Sequence, residues 1–349
     1  MPQMVINGRA IGAAHKPFII AEMSANHNQS FDNAVEIISA AAEAGADAIK
    51  IQTYTPDTLT LNCNSSDFKI NNPESLWDGS SLYELYSKAY MDWNWIGDLS
   101  EVCKKKNITF FSSVFDETSV DFMEQLNTPA YKIASFENNH YPLIKKVIST
   151  GKPMIVSTGV TSESDIDDLV AFISNEGFEE FALLKCTSDY PAKVEASNLA
   201  NIPRMRKKYQ CEIGLSDHTL GIGTALAAVA LGASIVEKHF TTSKEIDSVD
   251  VAFSSDTAEM KLLVSESENA WKSLGRDAII LSEREKNNLQ FKRSIYASQD
   301  IAKGDNFTRD NIKVVRPGFG MHPKHFDDII NTPASKEYKF GDPIKEMLL

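Results

Sequence analysis

Several things are scarce in this chain. Cysteine is one: four residues, Cys63, Cys103, Cys186 and Cys211, stand apart in 349 positions, with no Cys-x-x-Cys pair and no framework spacing. No disulfide scaffold follows from them. They fit a reducing, cytoplasmic compartment and read as plain core or surface thiols. Positive charge is also in deficit, with 35 Lys and Arg against 48 Asp and Glu and a net charge of −13. That argues against nonspecific nucleic-acid binding. Any anionic substrate would need lysines and arginines placed locally. Long apolar runs are missing too. Phe18 to Ala21 is apolar, but Glu22 interrupts it, and no basic n-region precedes a long apolar stretch. Neither a signal peptide nor a membrane span is expected. Finally, no Gly-x-Gly-x-x-Gly follows any apolar run, which disfavours an open, doubly wound dinucleotide-binding sheet.

What is present is an ordinary globular composition in a chain longer than one average domain. Two late stretches organise it: Gly214-Leu215-Ser216-Asp217-His218 and Ile235-Val236-Glu237-Lys238-His239-Phe240. Each is an apolar run that ends in polar residues and a histidine. The Ala-rich segment between them, Gly221 to Leu231, reads as a helix capped by Gly232. Strand, helix, strand with a right-handed crossover puts the two strands side by side and parallel. His218 and His239 then leave the same end of neighbouring strands, close enough to share a divalent metal. Two histidines satisfied by strand-end carbonyls fit the same spacing.

The same joint occurs earlier, where a helix over 33–44 ends at Gly45 and a strand over 47–53 follows. Further strands are expected at 18–24, 108–115, 130–135, 154–159 and 181–188, with helical segments between them. Eight strands alternating with helices over the first 274 residues predict a (β/α)8 barrel. In a barrel the polar groups at strand C-termini converge on one rim. Glu22, Lys50, Gln52, Ser113, Lys132, Ser135, Glu137, Ser157, Tyr190, Ser216, His218, Glu237 and His239 gather there. The polar stretch 55–75 is too long for a tight connection and reads as a lid or insertion. Residues 275–290 read as a charged linker. The last 59 residues, 291–349, change texture: a strand at 294–298, a turn at 303–305, and Thr308 as N-cap of a short helical turn.

Lysines with hydroxyls make a cradle for phosphate or carboxylate. A metal beside them would polarise a carbonyl oxygen, and Glu22 and Glu137 could order a water or stabilise a cation. An anionic three-carbon unit and a carbonyl acceptor together suggest carbon–carbon bond formation.

Five runs carry a resemblance: Ile20 to His27, Ile49 to Thr53, Tyr131 to Ser135, Gly214 to His218 and Glu237 to Phe240. In this order they resemble the sialic acid synthase family, and Arg316-Pro317-Gly318 resembles its C-terminal antifreeze-protein-like (SAF) domain. The resemblance spans nearly the whole chain. It implies condensation of phosphoenolpyruvate with an open-chain acylamino sugar. C3 of phosphoenolpyruvate attacks the aldehyde, water adds at C2, and phosphate leaves by C–O cleavage. By the family motifs, Lys50, Ser113, Lys132, Ser135, Ser157, Ser188 and Ser216 would hold phosphoenolpyruvate. Gln52, Tyr190, Asp250 and Glu137 would face the sugar or the cation, and Glu22 would position a water. His218 and His239 would hold the divalent metal, manganese first, with magnesium or cobalt as alternatives. The resemblance further implies a homodimer in which the SAF domain caps the partner's barrel, so that Arg316 acts in trans.

Leu76-Trp77, Leu82 to Tyr86 and Arg293 to Ser298 resemble a branch of that family whose acceptor is a 2,4-diacetamido-2,4,6-trideoxy sugar. The chain also departs from plain sialic acid synthases. Asn26-His27-Asn28-Gln29 stands where they read Asn-His-Glu-Gly. Ser113, Val114 and Ser188 replace threonine, proline and asparagine. The hydroxyl at Ser113 is kept, whereas the change at Asn28 counts against N-acetylmannosamine as acceptor. Within the family, N-acetylneuraminate or legionaminate synthesis is the alternative, and two other classes fit the residues: a Schiff-base aldolase or lyase using Lys50 or Lys132, and a non-catalytic sugar-binding barrel.

Overall fold

Asn7 and Gly8, both at positive φ (50° and 77°), turn the chain so that Met4–Ile6 (β1) pairs antiparallel with Arg9–Ile11 (β2). The hairpin stands where the sequence reads as a polar lead-in. Its Asn-Gly turn is the signal that reading passes over. The computed structural model describes residues 4–73, 77–245, 248–276 and 278–345, so Leu76 lies outside the described residues.

Eight parallel strands follow: Phe18–Glu22 (β3), Ala48–Thr53 (β4), Thr109–Val114 (β5), Tyr131–Ile133 (β6), Met154–Ser157 (β7), Phe181–Cys186 (β8), Glu212–Asp217 (β9) and Ile235–His239 (β10). Each pairs with the next in sequence, and β10 returns to β3 to close the barrel. Alternation along each strand sorts the side chains. Ile19, Ala21, Ile49, Ile51, Val156, Leu183, Ile213, Leu215 and Val236 face outward into a layer shared with the helices. Phe18, Ile20, Ala48, Phe111, Ile155, Ala182, Leu184 and Ile235 face inward, where Met4, Ile6 and Ile11 of the hairpin join them. One end of the barrel is thus filled with apolar groups and plugged. Chemistry is left to the other end.

The helix–glycine–strand joint is present twice. Helix α1 (Phe31–Ala44) starts on the Ser30 hydroxyl and ends at Gly45, φ 85°. A later helix (Gly223–Ala230) is followed by Gly232, φ 99°. Only glycine takes this left-handed turn without strain. Four strands end two residues sooner than the sequence predicts: β3 at Glu22, β6 at Ile133, β7 at Ser157 and β8 at Cys186. Past those points the chain leaves the strand ladder. Ser135–Glu137 is a single 3-10 turn, so Ser135 and Ser188 reach the site from loops.

The chain divides into two compact units, Met1–Gly275 and Arg276–Leu349. In the second, Ser294–Ala297 (β11) pairs antiparallel with Ile312–Val315 (β12) over a core of Ile295, Ile301, Phe307, Ile312, Met321, Ile329, Tyr338 and Ile344. The expected linker is not featureless. It carries a Ser282-capped helix, Glu283–Asn287, and a 3-10 turn, Asn288–Phe291. Thr308 and Asn311 close a turn through reciprocal bonds of 2.7 and 3.2 Å rather than starting a helix. Ser294 Oγ donates to Pro317 O (2.7 Å) and accepts from Gly320 N (2.8 Å), which fixes the exposed loop that bears Arg316. Among the described residues no helix is long and apolar enough to cross a membrane.

Candidate active site

Strand register brings the polar inward positions together. Glu22 lies between Lys50 on one neighbour and His239 on the other. Gln52 pairs with Ser113, Ser113 with Lys132, Cys186 with Ser216, and Ser216 with Glu237. Lys50 Nζ sits 2.6 Å from Glu22 Oε2, 3.8 Å from Glu237 Oε1, and donates to Ser113 Oγ at 2.8 Å. Lys132 Nζ lies 3.7 Å from the same Glu237 oxygen, which also accepts from Ser216 Oγ at 3.2 Å. Gln52 Nε2 donates to Glu22 Oε1 and Ser24 Oγ, both at 2.9 Å.

All four charged groups are buried, and that tunes them differently. Burial, reinforced by the Glu237 charge, pushes the Glu22 carboxyl up to about 7 against the pull of Lys50. Burial also acts on Glu237, but Lys132, Lys50 and His218 outweigh it and hold that carboxyl below its usual range. Burial lowers Lys132. Two lysines flanking one firmly ionised carboxylate leave a positive surplus for an anion.

Beside this cluster is a cradle. Gly159 N donates to Ser135 Oγ at 3.1 Å. A Cβ at Gly159 would stand 2.6 Å from that oxygen and 2.0 Å from Ser188 Oγ, so the space exists only because the residue is glycine. Ser157 Oγ is buried there without a protein partner. Cys186 Sγ lies 3.4 Å from Ser135 Oγ, 3.6 Å from Ser188 Oγ and 3.9 Å from His218 Nδ1. Burial would raise its thiol, but His218 with the two serines brings it down to about 7. Cys186 is therefore an inward-facing site residue, which corrects its reading as a plain core or surface thiol.

The two imidazoles stand 5.4 Å apart, centre to centre. His218 Nδ1 donates to Thr187 O at 2.8 Å; burial works against its charged form, but Cys186, Thr187 O and Glu237 outweigh it and hold the imidazole above its ordinary value. His239 is kept neutral: burial first, then the charges of His218, Lys50, Lys238 and Lys132, lower it well below its ordinary value. Its Nδ1 is buried without a protein partner. Two buried imidazoles at this spacing, His239 already neutral and His218 able to give up its Nε2 proton to a metal, fit a divalent cation. No group of three or more His, Cys, Asp or Glu that could hold a metal occurs among the described residues, so a cation here would rest on this pair and on groups that are not protein.

An aromatic wall backs the pair. Tyr190 lies 4.4 Å from His218 and 5.1 Å from Phe253, Phe253 lies 4.8 Å from His239, and Trp77 packs on Tyr190 at 5.9 Å. Trp77 lies just past the polar stretch 55–75, so the chain that leaves that stretch reaches the site. Glu137 is half-buried with Oε2 sealed and unpartnered; burial pushes it up to about 7 against Lys132. Asp250 is turned to holding the backbone, accepting from Ala25 N at 3.1 Å. Arg316 lies exposed in the second unit. Glu237, Cys186 and Phe253 are the residues that sequence reasoning leaves without a role. Inward alternation with Lys50 and His239 marks the first two, while nothing in the sequence marks Phe253.

Comparison with known proteins places these features in a family. Over 95% of this chain, 44% of residues are identical to pseudaminic acid synthase of Campylobacter jejuni, covering 96% of that protein. Pseudaminic acid synthase of Helicobacter pylori is 39% identical over 94% of this chain and 96% of its own. Among solved structures, N-acetylneuraminic acid synthetase from Leptospira borgpetersenii, in complex with citrate, is similar with a TM-score of 0.73 and 30% identity. That match covers 83% of this chain and 95% of that one. Residues 292–347 match the SAF domain. Residues 37–278 match the NeuB family model, and the chain belongs to the NeuB family.

Proposed function

We propose that this chain condenses phosphoenolpyruvate with 2,4-diacetamido-2,4,6-trideoxy-L-altrose, forming pseudaminic acid and phosphate. The observation that carries the reading is one barrel mouth holding both an anion-binding half, Lys50 and Lys132, and a buried histidine pair. The similarity to two pseudaminic acid synthases supports the choice of sugar.

Lys50 and Lys132 would hold the carboxylate and phosphate charges of phosphoenolpyruvate. Ser113, Ser135, Ser157, Ser188 and Ser216 would donate to its oxygens. His218 and His239 would hold a divalent cation, manganese in our reading, that polarises the acceptor's carbonyl as a Lewis acid. C3 of phosphoenolpyruvate then bonds to the aldehyde carbon, and positive charge develops at C2 between Glu22, Glu137 and Glu237. Glu22, with its carboxyl near neutrality, is suited to take the proton of the water that adds at C2. The C2–O bond then breaks with its electron pair on the departing phosphate, the C2 hydroxyl gives up its proton to leave the keto group, and the former aldehyde oxygen takes up a proton to become a hydroxyl. Gln52, Tyr190 and Asp250 would line the sugar's side.

The loops at the barrel mouth expose Phe136, Val160, Val194 and Leu220, between 56% and 73% accessible. Such apolar rims call for a cover. We assign it to the SAF domain of a second copy in a homodimer, with Arg316 acting in trans. Cytoplasmic location fits the unpaired cysteines. The test is phosphate release from phosphoenolpyruvate with either this sugar or N-acetylmannosamine, in the presence of Mn2+. Pseudaminic acid synthesis is expected at the higher kcat/KM. A ratio near one, or one favouring N-acetylmannosamine, assigns the chain to sialic acid synthesis. Borohydride trapping of a pyruvate adduct on Lys50 or Lys132 would assign it to the Schiff-base class.

A further inference from the structure

Next to each histidine of the pair, and facing the other way, is one half of a buried ion pair. Asp217 precedes His218 and Lys238 precedes His239, and the register makes Asp217 and Lys238 direct neighbours across β9 and β10. Lys238 Nζ lies 2.8 Å from Asp217 Oδ2 and donates to Thr219 O at 2.6 Å. Asp217 Oδ1 accepts from Thr219 N at 3.0 Å and from Thr219 Oγ1 at 2.8 Å. Both charged side chains are 1% accessible. They lie on the outward-facing positions, amid the apolar layer that contains Leu215, Val236 and Phe240.

Stability does not explain such a pair. Two charges taken out of water cost about as much as their attraction returns, and apolar groups of similar size would pack there at no loss. A buried pair does fix geometry. This one ties the last residues of β9 and β10 to each other, and through Thr219 ties down the chain just past His218. Because strand side chains alternate, whatever fixes 217 and 238 outside also fixes 218 and 239 inside. We propose that Asp217 and Lys238 are positioning residues that clamp the two strand ends and set the spacing and orientation of His218 and His239. The clamp itself rests on geometry alone; its value for metal binding rests on the function proposed above.

The test is the double variant Asp217→Asn/Lys238→Met in the full chain. Asparagine keeps the acceptor for Thr219 and methionine fills the lysine's space. Three properties are read: unfolding by urea, the ring signals of 15N-labelled histidine in metal-free protein, and Co2+ affinity with its visible spectrum. The double variant is expected to unfold near the wild-type midpoint. Its His218 and His239 signals should be shifted or broadened, its Co2+ binding weaker by about tenfold or more, and its spectrum altered. Unchanged histidine signals in a folded double variant would overturn the clamp. Shifted signals in a protein whose wild type binds no Co2+ would support the clamp and overturn the metal reading instead. Should the double variant not fold, Lys238→Arg keeps the charge while reshaping the grip. Histidine signals and Co2+ spectrum identical to wild type would then count against the proposal.

Discussion

Lys50 and Glu22, adjacent on β4 and β3, meet at 2.6 Å inside the barrel with side chains 3% and 1% accessible. Neither is there for stability, because a buried pair is worth little over apolar packing, yet breaking it is costly. Lys50→Met should therefore destabilise the protein by about 3–5 kcal/mol, leaving Glu22 buried with one cationic neighbour fewer. Adding Glu22→Gln should return most of that stability and none of the activity. Urea unfolding and phosphate release measure the two effects. A single variant as stable as wild type, or a double variant weaker than the single, would contradict the pairing.

Glu137 allows a pH prediction. Its carboxyl is raised from about 4.5 to about 7, chiefly by burial. The folded state therefore binds its proton more tightly than the unfolded chain does. Stability is full below the unfolded value and falls as pH rises through the window between the two. The loss approaches about 3 kcal/mol at most, less where solvent reaches the group. Glu137→Gln mimics the neutral acid. Its stability should match wild type near the acidic end of the window and exceed it above neutrality. A difference that does not grow with pH would show that Glu137 ionises freely.

Gly159→Ala tests the cradle. The backbone tolerates alanine, but the new methyl would meet Ser188 and Ser135 inside ordinary contact distance. The fold should survive with a loss of about 1–3 kcal/mol. The KM for phosphoenolpyruvate should rise about tenfold or more, since a misplaced phosphate loses charge-assisted bonds. The KM for the sugar should change much less. Equal rises for both substrates would place the cradle elsewhere.

The barrel and its polar rim are legible in the chain because each inward position announces itself two residues from the next: Lys50 to Gln52, Ser216 to His218, Glu237 to His239. What alternation cannot convey is which inward groups touch. Cys186 reads as an ordinary thiol until Ser135 and His218 arrive from β6 and β9. Asp217 and Lys238 are legible only as polar residues at strand ends; that they pair beneath the helices is not. Ser135 and Ser188 are placed by loop bends rather than by strand period. The N-terminal hairpin announces itself only through Asn7-Gly8, a two-residue signal beside runs too short to register.

Arg316 lies in a loop that Ser294 holds against β11, so its position within the second unit is well defined. If it serves a partner's barrel, two inactive proteins can complement each other. Arg316→Ala subunits mixed with Lys50→Met subunits would form hybrids with one site complete in both halves. Random exchange should restore up to about a quarter of wild-type activity. Proven exchange without recovery would sink the trans arrangement. Truncation at Arg276, where the second unit begins, should leave a folded but inactive barrel.

The sugar's far end gives the last prediction. In our reading the acceptor's aldehyde lies at the histidine pair, and Tyr190 connects that pair to Trp77 through contacts of 4.4 and 5.9 Å. An extended six-carbon chain that starts at the histidines can run along this aromatic wall. A C6 methyl would bury against the indole, whereas a C6 hydroxyl would lose water there without gaining a partner. Trp77→Ala removes the far end of that wall and none of the groups assigned to phosphoenolpyruvate. Its kcat/KM for the 6-deoxy diacetamido sugar should fall about ten- to a hundredfold, with little change for N-acetylmannosamine. Trp77→Phe should retain most of the preference, because a ring still faces Tyr190. The KM for phosphoenolpyruvate should stay at its wild-type value in both variants. Equal losses with both sugars would make Trp77 a general cover for the site. No loss with either would remove it from substrate selection, and the preference would then have to come from Phe253 and Tyr190, which border the histidines directly.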